Sequence, residues 1–446
     1  MLTEIRKPYL PATPIDEDAL RITKMETVIP EDVFPGLLLL RVHTTEGIVG
    51  HGETYYCPHA VAAMVHDWMA RRLLGADALA IESHWRFLYE RAANFGARGA
   101  ELRAISAIDL ALWDILGQVC NQPIYRLLGG PVRDRIPVYN SCGNPTYGIK
   151  ANGDQGWPGY GSLGEPGPLS DSFNFFHDPA ALAQDLLESG YSAMKVWPFD
   201  AAAHQHGGMR ISREDVERAI TPLRKIREAF GTRMEFMIDG HAFFLLPAAL
   251  RIADGLRDLN PLWLEDILKM DNLETLADFR RQSRLPISAS EMLLARPDFA
   301  ELLQKHAADY VMIDPTWVGG ISETARIAHL AQAHNIPVTM HDCTGPLTLY
   351  AGLHVNAAVA TCCYQETVRA HIHTVYPRLI DKQIEVRDGF VDIPRGAGLG
   401  VTLNPDLFDT RSTTYRSSEW EVRSRDDAGT DEKRQYGRSG RGRVTR

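Results

Sequence analysis

The chain has 446 residues, 45% of them hydrophobic and 23% charged, which is ample for a sizeable core and long enough for two domains or one barrel with additions. A net charge of −10 argues against nucleic acid as the main partner, since phosphate binding needs a basic face; a small anion stays within reach if a metal or lysine supplies local positive charge. No run approaches the length of a membrane span and Met1–Leu10 lacks a signal-peptide pattern, while six cysteines, with Cys362 and Cys363 adjacent, read as reduced core thiols; a cytoplasmic location is expected.

In chain order, Leu20–Glu53 alternates as an antiparallel sheet does, with Leu37–Val42, a turn at Thr44–Gly47, then Ile48 onward. Helical spacing follows over about Val61–Leu74, Ile81–Ala93 and Glu101–Leu128. From Ile136 one theme repeats. A short apolar or β-branched run ends in a polar or ionisable residue, and a helical stretch comes next. The runs are Ile136–Ser141, Ser192–Trp197, Met234–Asp239, Leu262–Asp266, Leu285–Glu291, Tyr310–Asp314, Ile336–His341 and Cys362–Glu366, eight in all. Eight strands joined by helices imply parallel pairing and a closed (β/α)8 TIM-type barrel. A strand pair near Ile384–Val386 and Phe390–Ile393 is expected to return to the first sheet. That predicts an α+β capping domain over residues 1–130, a barrel over 131–375, a segment returning to the cap over 376–410, and a charged, disordered tail over 411–446. Two segments without regular spacing, Gly143–Ser170 and Pro198–Gly208, follow the first two barrel strands and are expected to shape access to the barrel's C-terminal face.

The spacing of acids at the strand ends is the main chemical signal. Asp239 to Glu265 is 26 residues and Glu265 to Glu291 is again 26, about the length of one strand, one helix and two loops. Each acid therefore ends the next strand, and neighbouring strands lie about 4.8 Å apart. Three anions so close repel strongly unless a cation neutralises them, and oxygen-only ligands suit one Mg²⁺ per subunit better than Zn²⁺. The plainer alternative is a set of unrelated acids solvating the barrel rim.

The series continues with Asp314, 23 residues after Glu291, and His341, 27 residues further on. A carboxylate beside an imidazole fixes its tautomer and makes it a usable general base. In Asp239-Gly240-His241 the histidine is two residues beyond the first ligand, so on an extended strand it faces the same cavity, across the barrel from His341. Lys195 and Trp197 share a face of the second strand; the lysine either offsets the negative charge around the metal or acts as a second base. Glu366 ends the eighth strand and, protonated, can donate a hydrogen bond to an enolate oxygen.

These residues resemble the enolase superfamily, in its mandelate racemase-like branch, over about Leu20 to Asp406. The stretch Ala104-Ile105-Ser106-Ala107-Ile108-Asp109-Leu110-Ala111-Leu112-Trp113-Asp114-Ile115-Leu116-Gly117, with Pro123 and Leu127-Leu128-Gly129-Gly130, is similar to a segment specific to that family, and Gly47–Glu53 resembles its cap hairpin. The resemblance implies a metal on Asp239, Glu265 and Glu291 that holds a substrate carboxylate, an Asp314–His341 dyad that removes the α-proton, and an acid at Glu366. It also implies a homo-oligomer and a small carboxylate substrate. Racemases of the branch carry Lys-x-Lys on the second strand, where this chain has Lys195-Val196-Trp197. Asp239-Gly240-His241 instead resembles the Asp-x-His of galactonate and mannonate dehydratases, in which the histidine protonates a departing β-hydroxyl. Dehydration of a sugar acid to a 2-keto-3-deoxy acid is therefore expected. The alternatives are racemisation or epimerisation of a 2-hydroxy or amino acid, and a non-catalytic metal-binding protein. Two positions depart from the family: Glu265-Asp266 is followed by Ile267 instead of proline, and Glu291 by Met292 instead of a polar residue.

Overall fold

The computed structural model describes residues 19–149, 164–420 and 443–445. Three strands open it, β1 (Ile22–Val28), β2 (Leu37–Thr44) and β3 (Val49–Tyr55), paired antiparallel in that order. The turn between β2 and β3 is closed by Gly47 N–H to Thr44 O at 3.1 Å. The helix Ala100–Val119 then packs its backbone directly on β3: a Cβ at Gly52 would fall 2.0 Å from Ala107 O, so only glycine admits this approach. Three buried side chains of this layer also reach the barrel. Asp109 takes Ser322 N–H and Oγ–H at 2.9 and 2.6 Å, Trp85 Nε1–H donates to Gly319 O at 2.7 Å, and Thr54 Oγ1 donates to Thr316 O at 2.9 Å.

Eight parallel strands follow: β4 (Arg135–Ser141), β5 (Ala193–Val196), β6 (Glu235–Asp239), β7 (Trp263–Glu265), β8 (Ile287–Ala289), β9 (Tyr310–Ile313), β10 (Val338–Met340) and β11 (Cys362–Thr367). They pair in sequence order, and β11 closes on β4 through Gln365–Thr367 against Val138–Asn140. The (β/α)8 barrel and its cap are as the periodicity implied. The strand alternation splits the apolar side chains into two bodies. Outward residues pack under the helices in the main core, whereas Tyr139, Ala193, Met237, Trp263 and Met312 form a separate cluster inside the barrel. Two residues on from four of these inward side chains stand Lys195, Asp239, Glu265 and Asp314, one layer nearer the C-terminal face.

Three expectations need correction. The strand β12 (Phe390–Asp392) does not return to the cap; it pairs antiparallel with the first residues of β4, Arg135–Pro137. The cap is instead closed by β13 (Arg416–Glu419), which lies antiparallel along Lys24–Thr27, with β14 (Arg443–Thr445) beyond it. Both belong to the segment expected to be a disordered tail. Its low apolar content misleads because a sheet edge is held by backbone hydrogen bonds and a few side-chain contacts: Tyr415 Oη donates to Glu26 at 2.6 Å, and buried Ser418 lies 2.8 Å from His66 Nδ1. Residues 421–442 of that tail lie outside the described residues. Finally, Asp200–His206, within the segment read as non-regular, is a helix ended by left-handed Gly207. The neighbouring access segment is described at Gly143–Ile149 and from Gly164; residues 150–163 of it lie outside the described residues. Among the described residues no helix is long and apolar enough to cross a membrane.

Candidate active site

Lys195, Asp239, Glu265, Glu291, Asp314, His341 and Glu366 are each at most 4% exposed, and His241 is 5% exposed, although all eight are ionisable. Charges enter such a space only if they compensate one another. Asp239 and Glu265 are direct partners in the β6–β7 ladder, so their side chains stand side by side. The Lys195 ammonium bridges them, 3.3 Å from Asp239 Oδ2 and hydrogen-bonded to Glu265 Oε1, and it reaches Glu366 Oε1 at 2.9 Å. Burial alone would strip the proton from Lys195, but the charges of Glu265, Glu366 and Asp239 outweigh it and hold the ammonium well above its usual pKa. Glu265 is pushed up by burial, partly offset by Lys195, with Asp239, Glu366 and Glu291 adding to the rise. Its second oxygen accepts Trp263 Nε1–H at 2.9 Å from the layer below.

Two imidazoles flank this centre on strands that are four apart, and therefore opposite, in the closed ring of eight. His341 follows β10 and gives Nδ1 to Asp314 Oδ2 at 2.8 Å, which leaves Nε2 facing inward, 3.8 Å from Glu366 Oε2 and 3.5 Å from Cys343 Sγ. Burial works against a proton on His341, but the charges of Glu291 and Glu366 and the Asp314 hydrogen bond raise its pKa well above the ordinary value. The Cys343 thiol is itself pushed up to about 11 by burial, so it is not a thiolate nucleophile.

His241 reaches the site by a different route from the one its spacing suggested. Strand β6 ends at Asp239, so alternation no longer applies. His241 sits in a left-handed turn (φ 47°), its N–H bonded to Asp239 Oδ1 at 2.8 Å. The ring gives Nδ1 to Asp200 Oδ2 at 2.9 Å and places Nε2 3.6 Å from Asp239 Oδ2. Burial opposes its charge, yet Asp200 and Asp239 raise its pKa to about 9. Trp197 lies against it, ring centroids 5.5 Å apart, and stacks on Tyr147 at 5.2 Å.

Among the described residues no three Asp, Glu, His or Cys side chains are grouped as the ligands of an ion would be. The donor set nevertheless fits a hard cation: Glu291 follows β8, is buried, and keeps Oε2 without a hydrogen-bond partner among the described residues, while Asp239 and Glu265 present their oxygens to an ammonium.

Comparison with known proteins gives this geometry a family. Residues 33–129 match the mandelate racemase / muconate lactonizing enzyme N-terminal domain, and residues 178–407 the enolase C-terminal domain-like family. The chain belongs to the enolase superfamily. It is 30% identical to the D-galactonate dehydratase of Ralstonia pickettii over 405 residues, 88% of this chain and 94% of that one. The arabinonate dehydratase of Saccharolobus solfataricus is 28% identical over 375 residues, 84% of this chain and 90% of that one. Among solved structures, an enolase of the mandelate racemase subgroup from Agrobacterium tumefaciens has 39% identity and a TM-score of 0.77, over 90% of this chain and 99% of that one. An enolase protein from Sargasso Sea environmental sequence has 37% identity and a TM-score of 0.79, over 90% and 100%.

As a member of the superfamily's enzyme group, with relatives named dehydratases, the chain has a fold suited to dehydratase- or racemase-type chemistry. Sequence reasoning missed Asp200, the partner of His241. It opens a helix after β5, 41 residues away along the chain, and no motif marks it. It also missed Cys343, although His341-Asp342-Cys343 repeats the i, i+2 pattern used for Asp239 and His241.

Proposed function

We propose that the chain removes the proton α to the carboxylate of a sugar acid and eliminates the β-hydroxyl as water, giving a 2-keto-3-deoxy acid. The observation that supports this most is the pair of buried imidazoles on opposite strands, each with Nδ1 committed to its own carboxylate and Nε2 turned inward. One imidazole serves as base and the other as acid. His341 takes the α-proton on Nε2 from the neutral ring, with Asp314 stabilising the imidazolium; the acids around the metal-free site favour a proton there, and a cation held among them would oppose it. The electrons of the Cα–H bond form a Cα=Cβ bond as the Cβ–O bond breaks. His241 supplies a proton to the departing hydroxide, and the enol product tautomerises to the ketone.

One Mg²⁺ would be held by Asp239, Glu265 and Glu291; the chemistry it supplies is positive charge against the carboxylate oxygens as the α-proton leaves. Lys195, lying against Asp239, Glu265 and Glu366, adds to that positive field. With Trp197 at the other lysine position of the racemase pattern, two-base racemisation has no second partner on β5. Glu366 bridges the two halves of the site through Lys195 and His341.

Incubation of aldonic and aldaric acids with the enzyme and Mg²⁺, assayed for 2-keto-3-deoxy products, tests the proposal; silence across a complete panel refutes it. Deuterium entering Cα from solvent without loss of water would favour racemisation.

A further inference from the structure

One fully buried carboxyl takes no part in this mechanism. Glu53 leaves β3 of the cap toward the barrel and is 0% exposed. Its Oε1 accepts Thr348 N–H at 2.6 Å and lies 2.8 Å from Thr348 Oγ1, while Oε2 has no hydrogen-bond partner among the described residues. The fit is close, since a Cβ at Gly345 would fall 2.5 Å from Oε1. The contacts continue inward. Thr348 Oγ1 is 3.1 Å from Thr316 Oγ1, Thr316 Oγ1 is 2.8 Å from Asp314 Oδ1, and Asp314 Oδ2 holds His341.

The number of hydrogens available constrains the chemistry of this chain of contacts. Three oxygen–oxygen contacts join Glu53 to Asp314, but the two threonine hydroxyls between them own only two protons. Thr344 Oγ1 also donates to Thr348 at 3.3 Å, so it adds no proton to the line. A hydrogen on every contact, the 3.1 Å one between the two hydroxyls included, requires a third proton on one of the end carboxyls. Asp314 has hydrogens aimed at both oxygens, from Thr316 N–H and Oγ1–H on one and His341 on the other. Glu53 has a bare oxygen in a sealed space, which costs less for the carbonyl of an acid than for a carboxylate.

We propose that Glu53 is a neutral carboxylic acid that donates to Thr348 and, through Thr316, positions the Asp314–His341 pair, so that the cap supplies a positioning residue to the proton-transfer site. Burial raises its pKa to about 7 against the hydrogen bonds from Thr348, and Asp314 adds to the rise. The titratable groups facing it from the barrel side, Asp314, Asp342 and Tyr376, bring no positive charge. The link to catalysis rests on the proposed α-proton abstraction, whereas the protonation state of Glu53 does not.

Infrared difference spectroscopy of full-length wild type against Glu53→Gln, with ¹³C-labelled glutamate, reads that state directly. At about pH 6, where ordinary glutamates are ionised, a carboxylic C=O band that vanishes in Glu53→Gln is expected, and it should fade as the pH rises past about 7. Carboxylate bands alone at that pH would overturn the proposal. The positioning role is read from the ¹⁵N resonances of the His341 ring, assigned with His341→Asn. Glu53→Gln, whose amide can still donate to Thr348, should leave them in place; Glu53→Leu and Thr316→Val should shift them. The latter two should also lower turnover roughly 10–100-fold with little change in KM. Resonances unmoved in both disruptive variants would refute the coupling, and Thr316→Val decides it even if Glu53→Leu fails to fold. A wild type that exchanges no α-proton would count against the proposed reaction, while the infrared and ring resonances still decide this inference.

Discussion

Replacing Lys195 with methionine removes the one ammonium that touches Asp239, Glu265 and Glu366 while keeping the volume of the side chain. The contacts at 2.9 and 3.3 Å correspond to a gross attraction of roughly 5–6 kcal/mol each at an effective dielectric constant near 20. Most of that repays the desolvation of the lysine, and breaking a buried pair on one side leaves a net loss of about 3–5 kcal/mol. Equilibrium urea unfolding at neutral pH in a chelator should show a loss of this size relative to wild type. Because burial and its acidic neighbours raise the Glu265 pKa, falling pH protonates it sooner than an ordinary carboxyl, so the loss should shrink under acid conditions. Added Mg²⁺ should narrow the gap as well, and calorimetry should find the ion bound roughly tenfold more tightly by the variant, a difference of about 1.4 kcal/mol. A variant as stable as wild type in chelator at neutral pH would show that the carboxylates do not depend on Lys195.

Glu291→Gln should weaken Mg²⁺ binding at least about tenfold while leaving the metal-free protein as stable or more so, because its unpartnered Oε2 lies buried; calorimetry and unfolding in chelator separate the two effects. His241→Asn should keep α-proton exchange into solvent but lose roughly 10²–10⁴ of turnover, whereas His341→Asn should abolish both. In the metal-free protein the His241 pKa of about 9 lies above its ordinary 6.5, so its stabilising contribution is complete below pH 6.5 and is lost as the pH rises through 9. Asp200→Asn should pull that window downward, read as the ¹⁵N titration of the His241 ring; an unmoved titration would exclude Asp200 as its partner. Deleting residues 411–446 should cost about 3–5 kcal/mol, at about 1 kcal/mol per lost hydrogen bond along β1, and should promote association through the bared strand edge; an unchanged unfolding midpoint would contradict a structural role for β13.

Much of the barrel was legible because its signal is local and repeated. Eight apolar runs, each closed by a polar residue, carry their period in the chain itself, and a spacing of 26 residues between acids marks equivalent strand ends without any knowledge of contacts. Burying both faces of each strand demands those runs, so the hydrophobic effect writes the fold into consecutive residues. What failed was long-range pairing. A polar segment such as Arg416–Glu419 has no apolar period, and its partner Lys24–Thr27 lies nearly four hundred positions earlier, so only backbone geometry in the folded chain selects it. The site divides in the same way. The positions of Asp239, Glu265, Glu291, Asp314, His341 and Glu366 follow from strand register. Lys195 was also placed near these acids by its strand, whereas Asp200 beside His241 and Glu53 behind Asp314 arise where separate loops and the cap converge. Charge compensation in a sealed space depends on distances in three dimensions, and the order of residues along the chain does not carry them.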